Sequence, residues 1–467
     1  MGISAQAHGF SQEACRIKGI TREVRCGKLE RPQNPDEPDG RKIAIGYALI
    51  PALAKDKKPD PLFVLAGGPG QSATSLAQHF LAAQALLNTR RDLIFIDQRG
   101  TGRSNALACP AADPTEPLQQ SLNMRRRFER LSACLQTLQA QGNDTRQYAT
   151  WIAVQDLDAV RAALGAARIN LWAASYGTRV ALDYMRQYPQ RVRAAVLDGV
   201  VPPHIVLPTS FALDNQAALT RLSEQCRQAP PCHVHYPDVQ ATVSTLLARA
   251  HKGQLRMKVV HPITGAAETL ELDPMALSSA IRAALYLPVF ATELPYALSQ
   301  AQQGDGQALV TLMHTLGQSA GQMAEGMHFA VICAEDMPRL DSKSHAIDNH
   351  FSTSLINLYR RICPLIAVRK VPEAFFSLPD TPTPVLILSG GADPATPPHH
   401  GQTISQRLKN ATHLIAPHLG HGVSSSGCAP RLIDQFINEP HTAELDASCL
   451  ERIPAPSFFL MPGMRVP

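Results

Sequence analysis

The chain has 467 residues, 45% of them hydrophobic and 18% charged, with a net charge of +5. These values describe a globular protein with a large core, and the charge is spread too thinly to imply a nucleic-acid partner. No apolar stretch nears the roughly 18 residues needed to cross a bilayer.

The opening Met1-Gly-Ile-Ser-Ala-Gln-Ala7 carries no signal pattern and reads as a mature form with a start codon added back. The ten cysteines (15, 26, 109, 134, 226, 232, 333, 363, 428 and 449) fall into five sequence-local pairs, none with Cys-x-x-Cys spacing. An even count without metal spacing points to an oxidising compartment, periplasm or exterior. Spacing does not fix the pairing; neighbour with neighbour is the simplest choice.

From residue 43 to 205, apolar runs end in turn-forming loops. Pro61–Leu65 reads as a buried strand entering Ala66-Gly-Gly-Pro-Gly70, and Asp92–Ile96 as another entering Asp97-Gln-Arg-Gly-Thr-Gly-Arg-Ser104. The short run Arg125-Arg126-Arg127 reads as a solvated helix face. Thr150–Leu164 has helical spacing, with Leu157, Val160 and Leu164 on one face and Gly165 as a stop. Ile169–Ala174 is a strand, Ser175 a sharp turn, and the helix after it ends before Pro189. Ala194–Leu197 is the next strand. From about 206 to 370 the sequence is rich in Ala, Leu and Gln and reads as helical. The α/β rhythm returns at Thr383–Ser389 and Ala411–Ala416. Strands alternating with helices imply an α/β fold, a mostly parallel sheet covered on both faces. Three parts are expected: core over 1–205, an inserted helical cap over 206–370, and core again over 371–467.

A serine hydroxyl is a weak nucleophile. It needs a base, a carboxylate to hold the base, and donors for the oxyanion. Ala173-Ala-Ser-Tyr-Gly177 resembles a nucleophile elbow, G-x-S-x-G, with Ala173 in place of the first glycine. Asp393 follows a strand end in Gly390-Gly-Ala-Asp-Pro-Ala-Thr-Pro-Pro398, and His421 follows another in Pro417-His-Leu-Gly-His-Gly422. The order Ser, Asp, His is that of an α/β hydrolase. His418 is the nearest competitor for the base. The oxyanion donors are expected at the N–H of Tyr176 and of Gly68, with Gly67 second.

These segments, with Leu197-Asp-Gly-Val-Val-Pro202, resemble peptidase family S33, the prolyl iminopeptidases and secreted bacterial tripeptidyl aminopeptidases. The resemblance spans some 300 residues and extends to a TAP-like C-terminal region. It implies the α/β-hydrolase fold, no cofactor, and an exopeptidase that grips a free amino terminus. Such a grip needs carboxylates in the cap, because an unpartnered buried ammonium is costly. Glu335 and Asp336, in Ala330-Val-Ile-Cys-Ala-Glu-Asp336, are the candidates; a salt bridge to an arginine is the competing role. The family often has His or Asn at position 66 and Gly at 173, where this chain has alanine.

Other features point to less. His233-Val-His235 alternates like two ligands on a strand face but has no third, so no metal is expected. His399-His400 reads as a surface helix start, and Asp97 and Arg99 as braces for neighbouring loops. The same triad would serve an esterase or amidase on a small non-peptide substrate, and the scaffold could be a non-catalytic binding protein. Side-chain preference, residues released per cut and oligomeric state are not written in these motifs.

Overall fold

The structure, a computed structural model, describes residues 9–319, 323–340, 349–440 and 445–460. The Met1–Ala7 opening lies outside the described residues. Eleven strands follow in chain order: β1 (Phe10–Cys15), β2 (Val24–Pro32), β3 (Lys42–Ile50), β4 (Leu62–Leu65), β5 (Leu93–Ile96), β6 (Ile169–Ala174), β7 (Val192–Asp198), β8 (Arg256–Val260), β9 (Ala267–Glu271), β10 (Val385–Gly390) and β11 (Ala411–Ala416). Nine of them form one sheet in the order β1-β2-β3-β5-β4-β6-β7-β10-β11. From β5 to β11 all neighbours are parallel; β1, β2 and β3 join antiparallel at one edge.

The central strands are apolar on both faces, as strands covered by helices on both sides must be. Side chains alternate between faces. Phe63 and Leu65 of β4 join Leu171, Leu197 and Ile387 in one core cluster, with Leu157 and Val160 of the Thr150–Ala163 helix. Leu62 and Val64 join Phe95, Trp172 and Val196 in another, with Phe80 of the Ala73–Ala83 helix and Phe436 of the Ala429–Asn438 helix.

The insertion between β7 and β10 has its own apolar cluster, including Leu219, Val243, Leu277 and Leu298. It is not purely helical, because β8 and β9 form an antiparallel hairpin inside it. One helix of the insertion, Glu325–Glu335, packs Met327, Ala330 and Val331 into the core cluster beneath the sheet. The expected cap therefore contains a segment that packs as core.

Five disulfides join sequence neighbours: Cys15–Cys26, Cys109–Cys134, Cys226–Cys232, Cys333–Cys363 and Cys428–Cys449. No cysteine is free. Among the described residues, no helix is long and apolar enough to cross a membrane.

Candidate active site

Strand β6 ends at Ala174 and a helix begins at Tyr176. Ser175 sits between them at φ 54° and ψ −129°. A non-glycine residue held there carries strain of about 1–3 kcal/mol and persists only when its surroundings dictate it. They do. Ser175 N–H donates to Asp198 O at 2.9 Å, and Ser175 O accepts from the N–H and hydroxyl of Thr178 at 2.9 and 2.6 Å. The result is a serine lifted off the strand end at a helix N-terminus.

The glycine that matters for this crossing is Gly177, not position 173. A Cβ on Gly177 would lie 2.6 Å from Ala66 O and 2.7 Å from Leu65 O. Ala173, by contrast, is fully buried in the core cluster. Its methyl group fits.

Asp393 lies in the loop after β10. Its Oδ1 accepts from the N–H of Ala395 and Thr396 at 2.7 and 2.9 Å. Its Oδ2 accepts from Thr396 Oγ1 at 2.7 Å and meets His421 Nδ1 at 2.8 Å. Nδ1 thus carries the proton, leaving Nε2 as an acceptor. Burial alone would raise Asp393, but the charge and hydrogen bond of His421, with the Thr396 bonds, hold its carboxyl below the ordinary value. Burial would lower His421; the charge and bond of Asp393, then the charge of Asp198, overcome it and raise the imidazole.

The loop carrying His421 is fixed from both sides. Its own N–H donates to Tyr286 O at 3.0 Å, and the Tyr286 ring stands edge-on, 5.1 Å between centroids. Asp198 accepts from the N–H of Val423 and Ser424. Asp198, Tyr286 and Thr396 were not singled out from sequence. Thr396 and Asp198 sit inside the quoted segments, three residues after Asp393 and at the end of β7; Tyr286 comes from the insertion and had no signal.

Ser175 and His421 line one cavity of about 910 Å³, together with Gly67, Gly68 and Asp198. Gly67 passes so close that a Cβ there would lie 3.0 Å from Ser175 Cβ. The Tyr176 N–H is at the first helical position and has no intrahelical acceptor. The Gly67–Gly70 loop is held from behind by half-buried His328, whose Nδ1 donates to Pro69 O at 3.0 Å while Nε2 meets the Tyr359 hydroxyl at 2.9 Å. Burial, and then the charges of Arg127 and Arg282, push the His328 pKa down to about 4 against the Pro69 bond, so the ring is neutral.

Family comparison follows this geometry. Residues 60–228 match the model of the alpha/beta hydrolase fold, and residues 348–449 that of the TAP-like protein. Ser175 falls in the first span, Asp393 and His421 in the second. Over 436 residues the chain is 27% identical to serine protease Hip1 of Mycobacterium tuberculosis, covering 83% of this chain and 79% of that protein. Over 480 residues it is 24% identical to a tripeptidyl aminopeptidase of Streptomyces coelicolor, covering 94% and 86%. A proline iminopeptidase of Neisseria gonorrhoeae matches at 28% over 157 residues, 34% of this chain and 37% of that one. The chain is an α/β hydrolase, similar over most of its length to these peptidases.

In this hydrolase the structure does not bring Glu335 and Asp336 to the cavity. Both side chains, and that of Arg179 in the elbow helix, are 0% exposed. Arg179 Nη1 is 3.1 Å from Asp336 and 3.6 Å from Glu335. Asp336 also accepts from Leu207 N–H, and Glu335 from Thr150 N–H. The expectation of a grip on the substrate's amino group is therefore corrected. Two buried carboxylates with a guanidinium between them are already partnered, and neither lines the cavity that holds Ser175.

Two smaller expectations change as well. His233 and His235 lie on a short helix, Pro230–His235, not a strand. His400 is buried rather than at the surface, bonded to Asp214 at 2.9 Å. Arg125, Arg126 and Arg127 are all exposed, as a solvated helix face is, and Arg127 also borders the catalytic cavity. His418 borders a different hollow. Asp97 accepts from Ser72, Thr74 and Arg103, and Arg99 is bidentate to Asp156, so both brace loops beside the elbow.

Proposed function

We propose that the chain is a serine peptidase that releases residues or short peptides from a free N-terminus through an acyl-enzyme, with Ser175 as nucleophile. His421 takes the hydroxyl proton and returns it to the leaving amine. Asp393 fixes the imidazole and stabilises its charged form, and the N–H groups of Tyr176 and Gly68 hold the oxyanion. The observation that carries this reading is the 2.8 Å Asp393–His421 bond at a cavity shared with a strained Ser175. The match over most of the length of two peptidases supports peptide bonds as the target. Five disulfides and no free thiol fit a secreted or periplasmic protein. We take residues 206–370 as the cap and the rest as the hydrolase core.

A second reading is favoured by one feature. The only carboxylate lining the cavity among the described residues is Asp198, and it is bonded to the His421 loop. An apolar wall without a cap carboxylate also suits an ester or amide with no free amine. A fluorophosphonate should label the wild type and not Ser175→Ala. Aminoacyl and tripeptidyl arylamides, each free and N-acetylated, then decide between the readings. Loss of turnover on acetylation is expected; equal turnover would remove the exopeptidase.

A further inference from the structure

The cavity above Ser175 has an electrostatic character of its own. Its cap-side wall is formed by the Pro274–Leu285 helix and the turn after it, through Ser279, Arg282, Ala283 and Tyr286. Arg282 and Tyr286 stand one helical turn apart and so share a face. Arg282 and Tyr286 both line the cavity, and Tyr286 is the residue whose ring and carbonyl touch His421. Arg282 thus lines the cavity one helical turn from the residue that touches the catalytic base.

No described carboxylate forms an ion pair with Arg282. Arg127 reaches the same cavity from the Met124–Ala140 helix, with Glu325 at 3.6 Å as its partner. Both guanidinium groups thus border the cavity that holds Ser175. The remaining wall is mostly apolar, with Leu76, Phe80, Leu122, Trp172 and Met313, and carries Gln71, His79 and Gln84 among its polar groups. The fully buried arginines, by contrast, have acids or carbonyls: Arg99 has Asp156, Gln33 O and Gln147 O, and Arg179 has Asp336 and Glu335. Among the described residues Arg282 has no carboxylate partner, and it lines the space where substrate must sit. A guanidinium offers five donors in a planar fork that matches a carboxylate.

We infer that Arg282, seconded by Arg127, is an anion-recognising subsite, and that the preferred substrates carry a carboxylate near the scissile bond, as an acidic side chain would supply. The inference rests on Ser175 being the reacting residue, and it is independent of whether the cut is made at an amino terminus. A substrate ammonium would be repelled from this part of the cavity. A carboxylate placed here would gain a charge-assisted, partly desolvated pair.

The test uses matched peptides in which Glu replaces its isostere Gln, one position at a time, within three residues either side of the cut. Cleavage by the wild type is followed by mass spectrometry. At one position Glu should exceed Gln in kcat/KM by about 10- to 100-fold, the range of a hydrogen bond to a charged group. Arg282→Gln should collapse that ratio while leaving Gln peptides cleaved, and Arg127→Gln should reduce it less. Because the readout is a ratio, a modest loss of folded enzyme does not disturb it. The same pairs are titrated calorimetrically into Ser175→Ala, where binding is read without turnover. Tighter binding of the Glu peptide supports the subsite even if no peptide is cleaved. Equal or better handling of Gln at every position, or a Glu preference untouched by Arg282→Gln, overturns it. A failure of fluorophosphonate labelling would instead strike the serine-hydrolase reading.

Discussion

Two clusters of buried charge flank the elbow helix, and they teach different things. At the front, Asp393 holds His421 at 2.8 Å, and His421 keeps an 18% exposed face on the cavity. At the back, Arg179, Glu335 and Asp336 meet at 0% exposure. Both clusters contain acids that stand out in the sequence beside the elbow. Only the first has an atom left over that a substrate can reach. The carboxylates of the second are spent on Arg179, Thr150 N–H and Leu207 N–H, and so tie the insertion to the elbow helix. Open valence towards a cavity, rather than burial or charge, separates chemistry from scaffold here.

Asp393→Asn gives that comparison its largest predicted effect. The amide cannot hold His421 in the Nδ1–H tautomer, and kcat should fall by about 10⁴-fold with little change in thermal stability. Activity needs neutral His421, whose pKa is raised by Asp393 above the ordinary 6.5. The acid limb of the wild-type kcat/KM profile should therefore lie above pH 6.5, and in Asp393→Asn the residual activity should show a limb at lower pH. A limb that stays in place would mean that another group governs it.

Asp336→Ala should do the reverse. It removes one acid of a sealed cluster and leaves Arg179 facing Glu335 alone at 3.6 Å. Breaking a buried pair from one side costs about 3–5 kcal/mol of stability. Chemical denaturation should register that loss, while kcat/KM, measured well below the melting temperature, should move by no more than a few fold. A large loss of kcat with intact stability would return Asp336 to the active site.

The front cluster was legible because its physics is local. A buried parallel strand is a short apolar run, and in this fold the reactive residues sit in the loops at its C-terminal end. Ser175, Asp393 and His421 could each be read from a strand and the few residues after it. What stayed hidden depends on distant segments or on weak patterns. The β8–β9 hairpin alternates, with Met257, Val259 and Leu270 buried, but a helix-rich composition masked its period of two. The edge strand β1, FSQEAC, has four exposed residues in a row and no apolar run to find. Tyr286 and Arg282 belong to the cavity only because the insertion folds back over Ser175. Glu335 and Asp336 adjoin a cysteine in a family-like segment, but their roles were set by Arg179, which is 157 positions away from Asp336.

Glu335 offers the smallest and sharpest probe of the sealed cluster. Burial raises its pKa to about 7, helped by Asp336 and opposed by Arg179. In the unfolded chain the same carboxyl titrates near 4.3. Between those values the folded protein keeps a proton that the unfolded chain has already released. Stability must therefore fall as pH rises through this window and level off above it. Its Oε2 is buried without a hydrogen-bond partner, where a protonated oxygen and an amide nitrogen are close equivalents. Glu335→Gln imitates the protonated form at every pH, so its melting temperature should decline less than that of the wild type between pH 5 and pH 8. The two curves should lie close together near pH 5 and separate as pH rises, with kcat/KM at pH 7 changed by no more than about twofold, because Glu335 does not line the cavity. Parallel melting curves would mean that Glu335 is ionised throughout and that Arg179 outweighs its burial.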